Sequence, residues 1–309
     1  MVENNTNQGI KFEIHPILNK MRVNPIASNG VGYFFKCNNG DKLFYRIWKS
    51  LETKKILIGI HGMAAHSEYY VQVADQMIDK NITVIAVDLK HHGRSTGKKG
   101  DLKSFEELIN QLYEFITWVR SNWQGIPIYL MGISMGGCIS VNYAVNYANT
   151  INGMILVAPA VKLNMNFSLL DILKLPLYGI IYLFNKGATV ISVHKKGANL
   201  GTRNPLRIEY DENDEYRIKK VSLRYLLQLR SWIVKAYNNA ETIEIPVLII
   251  QGTEDKLVSI NGVKEFYQKL KSKDKQFIEL KGAYHSLYSD PAMVEQNGWL
   301  KLKEWIIQH

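Results

Sequence analysis

The chain has 309 residues, 46% of them hydrophobic and 21% charged, with a net charge of +10. That size and balance suit a soluble globular protein with one large core or two smaller ones. The basic residues are scattered and accompany no DNA- or RNA-binding motif, which argues against a nucleic-acid partner, and the two cysteines, Cys37 and Cys138, build no disulfide framework.

A reducing compartment is therefore expected. The polar start, Met1 to Gln8, lacks the apolar core of a signal peptide, so a cytoplasmic location is the expectation. The excess of Lys and Arg also favours encounter with anionic membrane surfaces, so peripheral membrane association is compatible with it.

Val31–Cys37 and Lys42–Trp48 read as a hairpin around Asn38-Asn39-Gly40-Asp41. Lys55–Ile60 is the third strand, followed by His61-Gly62-Met63. Ile82–Val87 is a continuous buried strand, and Leu102–Trp123 has helical periodicity through Phe105, Leu108, Leu112, Phe115, Ile116 and Val119. The run Ile126–Met131 then enters Gly132-Ile133-Ser134-Met135-Gly136 and the small-residue run Gly137-Cys138-Ile139-Ser140, an order that fits strand, sharp turn and helix. Met154–Ala158 is the next strand. Alternation then stops between residues 161 and 240. It resumes with Pro246–Gln251, a turn at Gly252–Val258, a strand at Gln276–Leu280, the loop Gly282-Ala283-Tyr284-His285, and a helix start at Asp290-Pro291. Strands alternating with helices predict a mainly parallel sheet covered on both faces.

Chemistry concentrates at the ends of these strands. A serine in a G-x-S-x-G turn projects its hydroxyl out of the sheet, but it needs a base, and the base needs a carboxylate. A capping serine at a glycine-rich helix start is the structural alternative for Ser134. In this type of site the acid and then the histidine follow the serine along the chain. His285 meets that order from the loop before the last helix. His309 is terminal, and His194 lies outside the core pattern. Asp255 is the candidate acid at a strand's carboxyl end, with Glu254 a neighbour that spacing alone does not exclude. The amides of Met135 and Met63 are the candidate oxyanion donors. His61 precedes Ser134 and is read as a residue that holds its loop. The pair His91-His92 does not read as a metal site, because adjacent side chains diverge and no Cys or carboxylate nearby completes one.

Five pieces now resemble the α/β-hydrolase superfamily, most closely its monoacylglycerol lipase and lysophospholipase branch. They are His61–Ser67, Asp88–Ser95, Gly132–Gly136, Gln251–Asp255 and Gly282–His285. The resemblance covers roughly residues 50–160 and 240–305. The resemblance carries the triad roles to Ser134, Asp255 and His285 and the oxyanion roles to Met63 and Met135. It implies an α/β-hydrolase fold: a mostly parallel sheet of about eight strands, helices on both faces, a core of residues 1–160 and 241–309, and a helical cap over 161–240. Lys90 and His91 depart from the family's usual D-x-R-G-H-G-x-S turn.

The apolar stretch Phe167–Phe184 lies in that cap region. Asp171, Lys174 and Pro176 argue against a membrane span. Leu169, Leu173, Leu177, Ile180, Leu183 and Phe184 are expected to line an acyl route or to meet a lipid surface. Tyr210–Glu215 reads as an exposed charged link, and Ser222–Tyr237 as a helix returning to the core. The reading is a serine ester hydrolase acting on monoacylglycerols or lysophospholipids, with a lipid ester as partner and without cofactor or metal. A thioesterase and a serine aminopeptidase are the enzymatic alternatives; the latter would want acidic groups at the pocket. A non-catalytic binding protein of the same fold is the third, although such proteins commonly lose a triad member.

Overall fold

The computed structural model describes residues 9–164, 169–193 and 200–309, with backbone alone at 169–173 and 175. The expectations for Met1–Gln8 and His194 therefore lie outside the described residues.

A nine-stranded sheet runs in the order β1-β2-β3-β5-β4-β6-β7-β10-β11. Its strands are β1 (Ile10–Lys11), β2 (Val31–Lys36), β3 (Lys42–Trp48), β4 (Lys55–Ile60), β5 (Ile82–Val87), β6 (Ile128–Ile133), β7 (Gly153–Val157), β10 (Val247–Gly252) and β11 (Lys275–Leu280). The strands from β5 across to β11 are mutually parallel, whereas β1, β2 and β3 extend one edge in antiparallel pairing. The strand sequence explains the burial. β4 sends Ile56, Ile58 and Ile60 to one face and Leu57 to the other, and each face has its own hydrophobic cluster. Strands covered on both sides read as continuous apolar runs for that reason.

One face is covered by α3 (Phe105–Asn122), α4 (Met135–Tyr147) and α7 (Leu223–Asn238), the other by α2 (Val71–Met77) and α10 (Gly298–Gln308). The predicted Leu102–Trp123 helix starts later, at Phe105, because the Ser104 hydroxyl accepts the Glu106 amide as its cap. Chain order reverses around β4, which lies between β5 and β6. Such a switch point opens a crevice at the strands' carboxyl ends.

Between β7 and β10 the chain leaves the main sheet. It forms α5 (Leu169–Phe184), the antiparallel ribbon of β8 (Thr189–Ser192) and β9 (Lys220–Ser222), α6 (Pro205–Asn213) and then α7. Here the sequence reading needs a correction. Tyr210, Asp211 and Asp214 are buried rather than part of an exposed link. Arg207 and Asp211 pair at helical spacing, and the Tyr210 hydroxyl donates to Glu68, so this polar segment packs inward through its partners. The predicted helix at Asp290-Pro291 also differs: it is split into α9 (Ala292–Glu295) and α10, with Asn297 at φ 59 between them. Asp290 still organises the turn, accepting the amides of Ala292 and Tyr284.

Candidate active site

Ser134 sits between β6 and α4 at φ 55, ψ −117, a conformation that non-glycine residues rarely adopt. Neighbouring backbone holds it there. Its amide donates to the Val157 carbonyl at 3.0 Å, and its carbonyl accepts the Ala160 and Cys138 amides at 2.9 and 3.1 Å. The flanking glycines are required by contact: a Cβ on Gly136 would run into the Ile60 carbonyl, and one on Gly132 into the Gly136 backbone. The serine is no helix cap, because its side chain makes no capping bond. Its side chain lines a cavity together with His285.

His285 lies in the loop after β11 and lines the same cavity as Ser134. Its Nδ1 is 2.7 Å from Asp255 Oδ2. Because an ionised carboxylate only accepts, Nδ1 carries a proton. Asp255 is itself fixed from the turn after β10. Oδ1 accepts the Leu257 and Val258 amides at 2.8 and 2.9 Å, and Oδ2 accepts Gln251 Nε2 at 2.9 Å. Burial opposes its ionisation, but His285 and these donors hold its pKa below the ordinary carboxylate value. Glu254 points elsewhere and pairs with Lys256 at the surface.

Met63 lines the cavity and Met135 starts α4 beside Ser134. His61 braces the Met63 loop. Its Nδ1–H donates to the Gly62 carbonyl at 2.8 Å, and Nε2 accepts the Leu89 amide at 3.0 Å. Burial lowers its pKa to about 4, so it works as a neutral ring. His66 ties the same loop to the excursion through a 2.8 Å bond to Asp214. His91 and His92 each have protein partners: His91 Nδ1 lies 3.0 Å from the Lys98 carbonyl, and His92 Nε2 lies 3.0 Å from the Tyr225 hydroxyl, which donates to Met135 Sδ. The turn after β5 is thereby linked to the helix that follows the serine.

The cavity is about 120 Å³, with Met63, Ala64, Tyr69, Ile133, Val193 and Leu257 among its apolar and aromatic walls. Of the six expected lipid-contact residues, Leu177, Ile180, Leu183 and Phe184 do not line it; they face solvent, Leu183 at 78% and Phe184 at 88% exposure. The Leu169 and Leu173 side chains lie outside the described residues. Three polar wall residues escaped the sequence reading: Arg207, Asp211 and Arg217. The signal for Arg207 and Asp211 was their opposite charges at i,i+4 spacing, which marks a helix.

The sequence matches the Hydrolase_4 family, described as Serine aminopeptidase, S33, over residues 51–292. It is 28% identical to Phospholipase YtpA of Bacillus subtilis, over 79% of this chain and 92% of that protein. It is 26% identical to human monoglyceride lipase, over 87% of this chain and 88% of that protein. Its fold matches the crystal structure of a soluble variant of the Saccharomyces cerevisiae monoglyceride lipase, bound to a substrate analogue, with a TM-score of 0.80 at 20% identity, over 93% and 98% of the two chains. A monoacylglycerol lipase from Paleococcus ferrophilus matches with a TM-score of 0.75 at 25% identity, over 86% and 99%.

Proposed function

The chain belongs to the Hydrolase_4 family and is a serine ester hydrolase of the α/β-hydrolase fold, and from that premise we propose that it releases the fatty acid from glycerol-type monoacyl esters, with Ser134, Asp255 and His285 as its triad. The observation that carries the triad is the 2.7 Å bond from His285 to Asp255 in a cavity wall shared with Ser134. Relatives named monoglyceride lipase and phospholipase support the substrate class.

His285 Nε2 takes the Ser134 proton as Oγ attacks the ester carbonyl. The amides of Met63 and Met135 receive the oxyanion. As the tetrahedral state collapses, the alcohol leaves with the proton from His285 and the acyl group stays on Oγ. Water then gives its proton to His285 and attacks the acyl carbon, releasing the fatty acid and restoring Ser134. Asp255 keeps the imidazole oriented and stabilises its charged form.

Residues 161–240 act as a cap in this reading. A cavity of about 120 Å³ falls short of the roughly 300–1,000 Å³ typical of ligand pockets, so a long acyl chain extends beyond it. The exposed apolar face of α5 suits peripheral contact with a lipid surface. Among the described residues no helix is long and apolar enough to cross a membrane.

The aminopeptidase alternative has one supporting feature, the acidic Asp211 in the cavity wall. That carboxylate is already bound by two arginines, so it is not free to hold a substrate ammonium. The test is labelling by a fluorophosphonate together with hydrolysis of monoacylglycerol. Both are expected of the parent, and Ser134→Ala should lose both, with turnover reduced on the order of 10⁴–10⁶-fold. A folded Ser134→Ala protein with near-parental hydrolysis would sink the reading.

A further inference from the structure

The two proposed oxyanion donors are tied to one buried row of side chains. His61, which braces the Met63 loop, has its ring 4.9 Å from that of His92. His92 Nε2 lies 3.0 Å from the Tyr225 hydroxyl, and Tyr225 donates to Met135 Sδ at 3.0 Å. All four side chains are buried. The row runs from the loop after β4 to the first residue of α4. Its connecting member, Tyr225, comes from α7, in the excursion between β7 and β10.

Surroundings fix the protons of this row. His92 Nδ1 lies 3.0 Å from the Lys90 carbonyl, which only accepts, so Nδ1 carries a proton. Burial, then the neighbouring His61, holds the His92 pKa well below its ordinary value, so the ring is neutral and Nε2 accepts. Burial pushes the Tyr225 pKa up, so the hydroxyl keeps its proton. One O–H thus meets two acceptors, an imidazole nitrogen and a thioether sulfur. His92 would satisfy a buried tyrosine by itself, and sulfur is the weaker acceptor. The sulfur contact has a different effect: it pins an unbranched side chain with three rotatable bonds. Tyr225 is in turn held at its other end. Its amide donates to Ser222 Oγ at 3.1 Å, Ser222 Oγ donates to Asp101 Oδ1 at 2.7 Å, and the Ser222 amide donates to the Gly100 carbonyl at 2.8 Å. The segment between β5 and α3 therefore fixes Tyr225 at both its backbone and its hydroxyl, since it carries His92 as well as Gly100 and Asp101.

We infer that Tyr225 is a positioning residue for the oxyanion hole. Through Met135 Sδ it holds the residue whose amide receives the developing charge, and through His92 it sets that amide against the Met63 loop braced by His61. The inference rests on the reading of Ser134 as the nucleophile. An oxyanion donor works only when aimed at the place where charge forms, and losing one outright costs on the order of 10²–10³ in kcat. The Ser134 backbone is pinned by Val157, Ala160 and Cys138. The peptide joining Ser134 to Met135 is thus fixed on one side, and the Met135 side chain supplies the hold on the other.

The test uses a soluble ester, p-nitrophenyl butyrate, and an alkyl trifluoromethyl ketone, whose adduct with Ser134 places an oxygen anion between the donors. Tyr225→Phe should lower kcat and kcat/KM together by about tenfold and leave KM within about twofold, because the contact matters only once charge has formed. The inhibition constant of the ketone should rise by the factor by which kcat falls. A tyrosine that only fills the core would move the melting temperature and leave both kinetic readouts unchanged. Met135→Leu keeps the amide and most of the bulk but removes the acceptor, and should give a comparable loss. The double variant should lose no more than the larger single loss, because both changes cut one contact.

A folded Tyr225→Phe protein with the parental kcat overturns the inference, as do losses from Tyr225→Phe and Met135→Leu that multiply in the double variant. If Tyr225→Phe fails to fold, Met135→Leu decides by the same two readouts. A parent that the ketone inhibits no better than the matching methyl ketone would overturn the nucleophile reading, and this inference with it. A parent inhibited tightly, with Tyr225→Phe inhibited equally tightly, overturns the positioning role and leaves the nucleophile in place.

Discussion

The Asp255 carboxylate accepts hydrogen bonds from Leu257, Val258, Gln251 and His285, and those donors keep it ionised despite its burial. Asp255→Asn places an amide where only an acceptor fits. The His285 ring then turns to the wrong tautomer, and kcat should fall on the order of 10⁴-fold. Glu254→Gln removes only a surface pair with Lys256 and should change kcat/KM less than about threefold. Steady-state kinetics on one soluble ester decides; a larger loss from Glu254→Gln would transfer the acid role. Both carboxylates sit in one turn, and although Asp255 was the favoured acid, spacing alone did not exclude Glu254. Side-chain direction separates them, and direction depends on a loop brought from β11, far along the chain. Arg217 was missed for a related reason. Its meaning comes from Tyr69, 148 residues away, and from Asp211, six residues away across the end of α6.

At the scale of elements, the buried strands were legible because they are continuous apolar runs between turn residues. Lys55–Ile60 and Ile82–Val87 have the expected bounds, and the hairpin differs by one residue at Cys37. α6 was not legible. Its hydroxyls and charges look like a solvated link until Glu68, His66 and Arg217 are seen to receive them. On α5 the apolar stretch was legible, but an apolar run does not say which face is covered. Leu177, Ile180, Leu183 and Phe184 recur at helical spacing and remain exposed. A role at a lipid surface therefore predicts a different phenotype from a role in a tunnel. Ile180→Asp combined with Leu183→Asp should reduce hydrolysis of vesicle-borne monoacylglycerol more than about tenfold, since each buried aliphatic side chain is worth about 1.5–3 kcal/mol. Hydrolysis of the same ester as a monomer in solution should stay within about twofold, because neither residue lines the cavity. Equal losses in both formats would contradict surface docking.

For the molecule as a whole, the same buried histidines that shape the site set its response to acid. His61 has its pKa lowered to about 4 by burial, and His92 is also held well below its ordinary value, chiefly by burial and then by His61. In the unfolded chain both would bind a proton near the ordinary histidine value; folded, they do not. Between those limits the unfolded state binds more protons, so stability rises with pH and falls on acidification. His66 works the other way. Burial opposes its protonation, but Asp214 raises its pKa overall, so its contribution is present at low pH and is lost as pH rises through the raised value. Asp255 and Asp214 have lowered pKa values, and their contributions disappear only as pH falls through those lower values. From pH 6.5 down towards 4 the lowered values of His61, His91 and His92 all cost stability, while His66 is protonated in both states there and adds no slope, and His61 alone corresponds to about 3 kcal/mol over its displacement. That is a large part of the roughly 5–15 kcal/mol that holds a domain folded. Urea unfolding at a series of pH values should show stability dropping across this interval. In His61→Asn the drop should be shallower by up to one proton's worth of slope, even though the variant starts less stable for want of its loop bonds. Arg207→Gln, which alters no titrating histidine, should keep the parental slope. An unchanged slope in folded His61→Asn would show that His61 does not supply this acid sensitivity.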